Sequence, residues 1–173
     1  MNNIILTGMP GAGKSTVGVI LAKVLGYDFI DTDIVIQKRY NKKLREIIAD
    51  DGVEGFVAKE NEVNKSIEAA NSVIATGGSA IYGKEAMEHF KNIGIIVYIK
   101  LDYEIINKRL GDIKRRGVVL KDGQSLLDLY NERCPLYEKY ADIIVNTSYK
   151  SIEDTLEEII NEIEIFTNSK KVV

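Results

Sequence analysis

A glycine-rich segment near the N-terminus constrains this chain more than any other feature of its sequence. Residues 4–16 read Ile-Ile-Leu-Thr-Gly-Met-Pro-Gly-Ala-Gly-Lys-Ser-Thr, a short apolar run, then a turn, then helix-forming residues. The turn fits the spacing G-x-x-x-x-G-K-[ST] at Gly8, Gly13, Lys14 and Ser15. With average residue usage, a chance match in a chain of this length has odds of roughly one in a hundred. The segment therefore predicts a phosphate-binding loop, or P-loop, between a strand and a helix.

Each residue type in this loop suits a phosphate ligand. Glycines allow backbone conformations closed to other residues, so that backbone N–H groups can approach phosphate. Those N–H groups form an anion-binding concavity at the positive end of the following helix. Lys14 is placed to reach the β- and γ-phosphates, and the Ser15 hydroxyl is placed to bind Mg²⁺. The alternative is a turn that binds no phosphate, but the strand before it and the helix after it favour a nucleoside triphosphate site.

Composition narrows the class of protein. The 173 residues are 45% apolar and 28% charged with a formal net charge of −3, as in an ordinary single globular domain. There is no dense block of Lys and Arg to bind nucleic acid, and no run of ~18 apolar residues to span a membrane. The apolar run before the P-loop is too short for a signal peptide, and the single cysteine, Cys134, fits a reducing compartment. We expect a cytoplasmic enzyme without nucleic-acid or membrane partners.

The order of apolar segments predicts an α/β fold. Strands near residues 4, 29, 73, 96 and 143 alternate with helical segments, among them 53–70 and 151–163. Such a chain forms a five-stranded parallel sheet with helices on both faces, a three-layer architecture. We expect one domain over 1–164 and a C-terminal tail over 165–173. Ligands bind beyond the carboxyl ends of the strands, where residues 8–15, 31–33 and 77–79 fall.

Two aspartates follow the second predicted strand. If the chain stays extended there, Asp31 and Asp33 point the same way, toward the phosphate edge. One carboxylate can then hold Mg²⁺ while the other accepts a proton from an attacking hydroxyl. The alternative is an ordinary turn in which Asp33 is the N-cap of a helix.

Three further features suit a ligand, and each has a plainer interpretation. Gly77 and Gly78 let a ligand approach the backbone, or form a simple strand-to-helix turn. The basic stretch within 111–121 is a lid that brings positive charge to a phosphoryl group, or a solvated surface. Arg133 is a ligand-binding residue, or it is a surface arginine or an ion-paired one.

Taken together, these residues resemble the shikimate kinase family, which belongs to the P-loop kinases related to nucleoside monophosphate kinases. The resemblance covers about residues 2–164. It rests on the P-loop and on Phe29-Ile-Asp31-Thr-Asp33, Gly52…Phe56…Glu60, Ala75-Thr-Gly77-Gly78, Arg109…Arg116 and Arg133-Cys-Pro-Leu-Tyr137…Ala141-Asp142.

The resemblance implies a mobile lid over about 111–121, an acceptor-binding helical region over about 33–62, and a role for each matched position. The residues implied for ATP are Gly11, Ala12, Gly13, Lys14, Ser15, Thr16, Arg109 (against the adenine) and Arg116 (from the lid). Those implied for Mg²⁺ are Ser15 and Asp31. Those implied for the acceptor are Asp33, Gly77, Gly78 and Arg133, and the catalytic set is Lys14, Asp33 and Arg116.

The acceptor side departs from the family pattern. The family has an arginine after the phenylalanine that helps bind the acid group of shikimate, and this chain has Val57 there. Val53 stands where an acidic residue is usual, Ser79 replaces a third glycine, and the lid sequence Arg-Pro-Leu-Leu becomes Arg-Gly-Val-Val at 116–119. Loss of one member of a charge-assisted pair typically costs ~1.5–3 kcal/mol. Lys59, two residues on, is a candidate replacement in a different direction on a helix.

The sequence therefore predicts a monomeric kinase that uses ATP and Mg²⁺ to phosphorylate a small hydroxylated metabolite. Shikimate, phosphorylated on its 3-hydroxyl, is the leading acceptor. One alternative keeps the reaction with another small polyol or hydroxy acid. A second alternative, from another class, is a nucleotide-binding regulator that has lost phosphoryl transfer, although the presence of Asp31, Asp33 and Arg116 disfavours it.

Overall fold

Five parallel strands lie at the centre of the molecule in the order β2-β3-β1-β4-β5. The strands are β1 (Asn3–Thr7), β2 (Asp28–Asp31), β3 (Ser72–Ala75), β4 (Gly94–Lys100) and β5 (Ile143–Asn146). The structure is a computed structural model that describes residues 3–111, 118, 120–121 and 123–170. The register places Ile5 of β1 between Ile74 of β3 and Ile96 of β4. The predicted parallel sheet is confirmed.

Helices cover both faces of this sheet, as expected for strands joined by crossover connections. They are α1 (Lys14–Leu25), α2 (Thr32–Tyr40), α3 (Leu44–Lys65), α4 (Lys84–Ile93), α5 (Tyr103–Leu110), α6 (Leu126–Tyr140) and α7 (Ile152–Lys170), with a 3₁₀ turn at Ala80–Tyr82. Helix α1 packs on β2 and β3 and contacts α7, which packs on β5. Helices α4 and α6 pack on β4. All five residues of β1 are buried, so the main hydrophobic core is built around the strand that leads into the P-loop.

The predicted acceptor-binding region, 33–62, forms a small hydrophobic cluster of its own. Ile36 of α2 packs with Ile47, Phe56 and Val63 of α3, and all four are buried. This cluster holds α2 and α3 together, and both helices contribute residues to the cavity beside the P-loop.

Two helix boundaries differ from the sequence prediction. Helix α3 has a kink at Gly52 (φ 72°), just before the predicted helical segment 53–70, and ends at Lys65 rather than near residue 70. It ends there because Ser66 bonds back to the Val63 carbonyl at 2.8 Å and Ile67 turns into the core. Helix α7 continues to Lys170 instead of ending near 163, so most of the expected tail is helical, and Phe166 packs against the main core.

The predicted lid over 111–121 lies mostly outside the described residues, and Arg116 is among those left out. The lid therefore stays a prediction. Within the part of the chain that the structure describes, no helix combines the length and the apolar character needed to cross a membrane.

Candidate active site

The P-loop turns from the end of β1 into the start of α1. Gly8 has a φ of 144°, and a β-carbon there would lie 2.6 Å from the carbonyl oxygen of Ile99, so a larger residue is excluded by both conformation and space. Gly13 caps α1 in the left-handed region, with a φ of 95°. The loop therefore presents its backbone at the N-terminus of a helix, as a phosphate site requires.

Lys14 lies under this loop with its ammonium group buried. Its Nζ donates to the carbonyl oxygens of Gly8 at 2.8 Å and Met9 at 3.0 Å. Burial lowers the pKa of Lys14 to about 8, against the opposing effect of Asp33. The amine holds the loop in shape in the absence of phosphate, and a phosphate oxygen would offer the partner that best favours its charged form.

A hydroxyl and a carboxylate meet beside the loop. Ser15 Oγ donates to Asp31 Oδ2 at 2.8 Å, and Ser15 is exposed to the cavity. Mg²⁺ favours oxygen ligands and is usually bound through one or two protein oxygens, with phosphates and waters filling its other positions. The described residues contain no group of three or more His, Cys, Asp or Glu side chains that could hold a metal without a substrate. The Ser15–Asp31 pair fits Mg²⁺ that arrives with a nucleotide.

Asp31 and Asp33 do not point the same way from an extended strand as predicted, because a helix begins between them. Helix α2 begins at Thr32, and Asp31 is its N-cap, with Oδ1 accepting from the backbone N–H of Asp33 at 3.0 Å. The alternative in which Asp33 caps the helix is wrong. Asp33 lines the cavity from the first turn of α2, where burial and the charge of Asp31 raise its pKa to about 6.

Gly77 and Gly78 follow β3 and leave room for polar groups on both sides. A β-carbon on Gly77 would collide with Glu60 Oε1 and lie 2.9 Å from Asp33 Oδ1. A β-carbon on Gly78 would lie 2.7 Å from the Pro10 ring and 3.1 Å from a terminal nitrogen of Arg133. These glycines are needed because the P-loop, α2, α3 and α6 all approach the same short segment of backbone.

Arg133 extends from α6 to the other side of this segment and is only 1% exposed. Its Nε donates to the hydroxyl of Tyr82 at 3.2 Å, and its guanidinium carbon lies 5.2 Å from the centre of the Tyr82 ring. One helical turn on, Tyr137 donates to the Gly78 carbonyl at 2.6 Å. The surface-arginine interpretation does not hold, because Arg133 is buried and lines the cavity.

The other residues predicted to bind ATP do not all line the cavity. Arg109 of α5 donates to the Gly11 carbonyl at 3.1 Å and lines the cavity, as does Thr16. Ala12 is buried beneath the loop, its N–H bonded to the Met9 carbonyl at 3.1 Å, and it is not among the residues that line the cavity. Arg116 lies outside the described residues.

A cavity of about 470 Å³ joins the loop to the acceptor side. From the loop it is lined by Pro10, Gly11, Gly13, Lys14, Ser15 and Thr16, and from the other side by residues that include Asp33, Phe56, Gly77, Gly78, Ser79 and Arg133. The P-loop, the Asp33 carboxylate and the buried Arg133 therefore line one space.

Comparison with known proteins identifies the family. A family model described as shikimate kinase matches residues 10–164. A shikimate kinase from Clostridium botulinum (strain Okra, type B1) is 43% identical over 157 residues, covering 87% of this chain and 91% of the relative. The chain belongs to the shikimate kinase family. Membership of the shikimate kinase family makes it a small-molecule kinase.

Two further members of the shikimate kinase family extend the match. The shikimate kinase from Thermodesulfovibrio yellowstonii is 36% identical over 173 residues, covering 98% of this chain and 99% of the relative. A structure of shikimate kinase from Acinetobacter baumannii in complex with shikimate superimposes with a TM-score of 0.84 at 34% identity, covering 97% of this chain and 94% of that one. The predicted family and fold are confirmed.

The departures at Val57 and Lys59 have structural consequences. Val57 lines a neighbouring cavity of about 510 Å³ together with Tyr82 and Lys121, and is not among the residues that line the acceptor side. Lys59 pairs with Asp51 and lies 4.8 Å from the centre of the Tyr40 ring, so it does not replace the missing arginine.

The sequence analysis gave no role to two residues that contact residues of this site, Glu60 and Tyr82. Glu60 is 1% exposed, accepts from Ser79 Oγ at 2.5 Å, and has an Oε1 without a partner among the described residues. Burial raises its pKa to about 7. An acid one helical turn after the buried Phe56 was the available signal for Glu60, whereas nothing in the sequence around Tyr82 pointed to its contact with Arg133.

Proposed function

We propose that this protein transfers the γ-phosphoryl group of ATP to the 3-hydroxyl of shikimate. The observation that carries the proposal is the convergence of Lys14, Asp33 and Arg133 on one cavity, with the phosphate loop at one end and a buried guanidinium at the other. A small acid with several hydroxyls has the groups to occupy that space.

On the nucleotide side, the loop backbone and Lys14 bind the phosphates. Lys14 exchanges the Gly8 and Met9 carbonyls for phosphate oxygens, where its charge opposes the negative charge of the transferring group. Arg109 donates to the Gly11 carbonyl at the edge of the loop, and the family resemblance implies that it packs against the adenine. Arg116 would add positive charge from the lid, as the family resemblance implies.

Ser15 and Asp31 would hold Mg²⁺ when the nucleotide is bound. The metal would supply charge neutralisation on the phosphate oxygens. Asp31 also caps α2 through its second oxygen, so the same side chain fixes the start of the helix that carries Asp33.

Asp33 orients the acceptor hydroxyl and takes its proton. The hydroxyl oxygen forms a bond to the γ-phosphorus, the bond from that phosphorus to the leaving oxygen of ADP breaks, and the proton moves to the Asp33 carboxylate. A pKa of about 6 leaves Asp33 mostly ionised at neutral pH and makes it a stronger base than an ordinary aspartate. Positioning and electrostatics supply the rest of the catalysis.

Arg133 pairs with the carboxylate of the acceptor. It is buried and lies against Gly78, where a β-carbon would be 3.1 Å from one of its terminal nitrogens. A charge-assisted pair in a buried site discriminates strongly for an acid over a neutral polyol.

The test is a coupled assay of ADP release with magnesium and ATP, comparing shikimate with its methyl ester. The ester keeps every hydroxyl and removes the charge that Arg133 would bind, so we expect turnover with shikimate and at least tenfold weaker kcat/KM with the ester. Absence of shikimate-dependent ADP release, with ATP binding intact by calorimetry, would contradict the proposal.

A second candidate is a kinase for a different small polyol or hydroxy acid. The observation that favours it is Val57, which leaves the acceptor side without the arginine that the family places there. The same assay across such acceptors distinguishes the two, because the preferred acceptor is the one with the highest kcat/KM. ATP binding without turnover on any acceptor would instead favour a nucleotide-binding regulator.

We also propose a monomer that acts in the cytoplasm. The phosphate loop and Arg133 line one continuous cavity within a single domain, which supports a monomer as the functional unit. The single cysteine fits a reducing compartment.

A further inference from the structure

The hydroxyl of Tyr82 lies between a buried arginine and a carboxylate. It accepts from Arg133 Nε at 3.2 Å and donates to Glu132 Oε1 at 2.7 Å. The Tyr82 ring adds a second contact, because its centre lies 5.2 Å from the Arg133 guanidinium carbon. The Tyr82 side chain therefore contacts Arg133 twice, through its hydroxyl at Nε and through its ring at the guanidinium.

Glu132 is in turn held by residues from the segment before α6. Gln124 Nε2 donates to Glu132 Oε2 at 2.6 Å, and Lys121 Nζ lies 3.4 Å from Oε1. The Glu132 carboxylate thus has three partners, and the Tyr82 hydroxyl is the one that also contacts Arg133.

The place of Tyr82 in the chain explains how it reaches Arg133. It is the last residue of the 3₁₀ turn at Ala80–Tyr82, which follows the Gly77–Gly78 backbone directly. The turn is fixed by backbone bonds from Ala80 to Gly77 at 3.3 Å and from Tyr82 to Ser79 at 3.0 Å. The segment that forms one wall of the acceptor cavity therefore also carries the side chain that holds the arginine.

We propose that Tyr82 is a positioning residue for acceptor binding: with Glu132 behind it, it holds the Arg133 guanidinium in the orientation that receives the acceptor's carboxylate. The proposal rests on the proposed function of Arg133. It adds a residue to which neither the sequence nor the family resemblance gave a role.

The physical need for such a residue follows from Val57. A long arginine side chain loses rotamer freedom when it is fixed, and that loss weakens binding unless the side chain is already ordered in the free protein. With valine where the family has a second arginine, the carboxylate depends more on the orientation of Arg133. Burial and the bond to Glu132 also raise the pKa of the Tyr82 phenol, which keeps its proton in place for Glu132.

The test compares Tyr82→Phe with a matched control, Tyr130→Phe. Both tyrosines are half-buried, and Tyr130 donates its hydroxyl to the Leu101 carbonyl at 2.9 Å. Phe at 82 keeps the ring over the guanidinium and removes only the hydroxyl. We expect a five- to tenfold rise in KM for shikimate, kcat within twofold of the wild type, and unchanged ATP affinity. The control should leave all three unchanged.

A second variant tests whether Glu132 acts on Arg133 through Tyr82. If Glu132 acts on Arg133 through the Tyr82 hydroxyl, Glu132→Gln raises KM in the wild type but has no further effect in Tyr82→Phe. Equal and additive effects of the two substitutions would show that they act independently, and would overturn the role given to Glu132.

A nuclear magnetic resonance measurement makes the test independent of the acceptor. The Arg133 Nε–H signal, identified by its loss in Arg133→Lys, should be protected from solvent exchange in the wild type and in Tyr130→Phe. We expect at least tenfold faster exchange in Tyr82→Phe. If exchange is unchanged, or if it rises while KM for the acceptor does not, the positioning role is wrong. If the wild type does not phosphorylate shikimate, the proposed acceptor fails, and the exchange rates still decide whether Tyr82 orders Arg133.

Discussion

The two ends of the active-site cavity are built in different ways. The phosphate end comes from one continuous segment, in which Lys14 bonds to the carbonyls of Gly8 and Met9 a few residues earlier. The acceptor end is assembled from α2, α3, the segment after β3, and α6. Its key contacts join residues far apart in sequence, such as Glu60 with Ser79 and Arg133 with Tyr82.

This difference explains why the P-loop keeps the family pattern while Val53, Val57 and Ser79 depart from it. A continuous loop works through its backbone and through fixed spacing, so a change at one position disturbs the whole phosphate site. An assembled pocket can change one wall at a time. Ser79 now bonds to Glu60 and Tyr82 holds Arg133, while the P-loop keeps the full pattern.

The largest effect is expected at the phosphate end. Lys14→Ala removes the buried cation that binds the β- and γ-phosphates, and we expect turnover to fall by about 10³-fold or more. Circular dichroism should show that the fold is kept. The control is Lys23→Ala on the exposed side of the same helix, which should retain wild-type kinetics. Near-normal turnover in Lys14→Ala would exclude a role for Lys14 in phosphate binding, and with it the proposed phosphate end of the cavity.

The same difference determines how much could be predicted from the sequence. The strands and the P-loop residues were predictable because local spacing and apolar runs define them. The position of the Asp33 side chain could not be predicted, because it depends on α2 starting at Thr32, one residue after Asp31. Nor were the contacts of Tyr82 and Glu132 predictable, because they exist only once α6 packs beside the turn that follows β3.

The pH dependence should separate the two ends. Asp33 must be ionised to take a proton, so with saturating ATP the kcat/KM for the acceptor should fall about tenfold per pH unit below a pKa of about 6. Lys14 must be protonated to bind phosphate, so with saturating acceptor the kcat/KM for ATP should fall above about 8. Steady-state kinetics from pH 5 to 9.5 measure both limbs. An acid limb that appears equally in both profiles would contradict the assignment to the acceptor end.

The acceptor end should also respond to restoration of its missing charge. Val57 lines the neighbouring cavity with Tyr82, so Val57→Arg restores the family's guanidinium at this position and relies on the longer side chain to reach the acceptor side. We expect KM for shikimate to fall by roughly five- to tenfold, with KM for ATP unchanged. The control is Val53→Arg, one helical turn earlier on the same cavity, which should not improve KM. An unchanged or higher KM in Val57→Arg would mean that the pocket is shaped for another acceptor.

The smallest expected effect is on stability. It tests whether ionisation of Asp33 at the acceptor end lowers the free energy of unfolding. The folded-state pKa of Asp33 is raised from 3.8 to about 6, so ionisation above that pH destabilises the folded protein. Asparagine cannot ionise, and Asp33 is partly exposed, so we expect Asp33→Asn to gain about 1 kcal/mol in unfolding free energy at pH 8. Urea unfolding should show this gain shrinking as pH falls from 6 toward 4, because the folded-state carboxylate is protonated below its pKa of about 6, and the gain should vanish only below the unfolded-state pKa of 3.8. Asp50→Asn is the control with the opposite sign, because Lys42 lowers the pKa of Asp50 and its ionisation favours the fold. If Asp33→Asn is less stable than the wild type at pH 8, the ionised carboxylate stabilises the folded protein, and the stability cost assigned to Asp33 at the acceptor end is wrong.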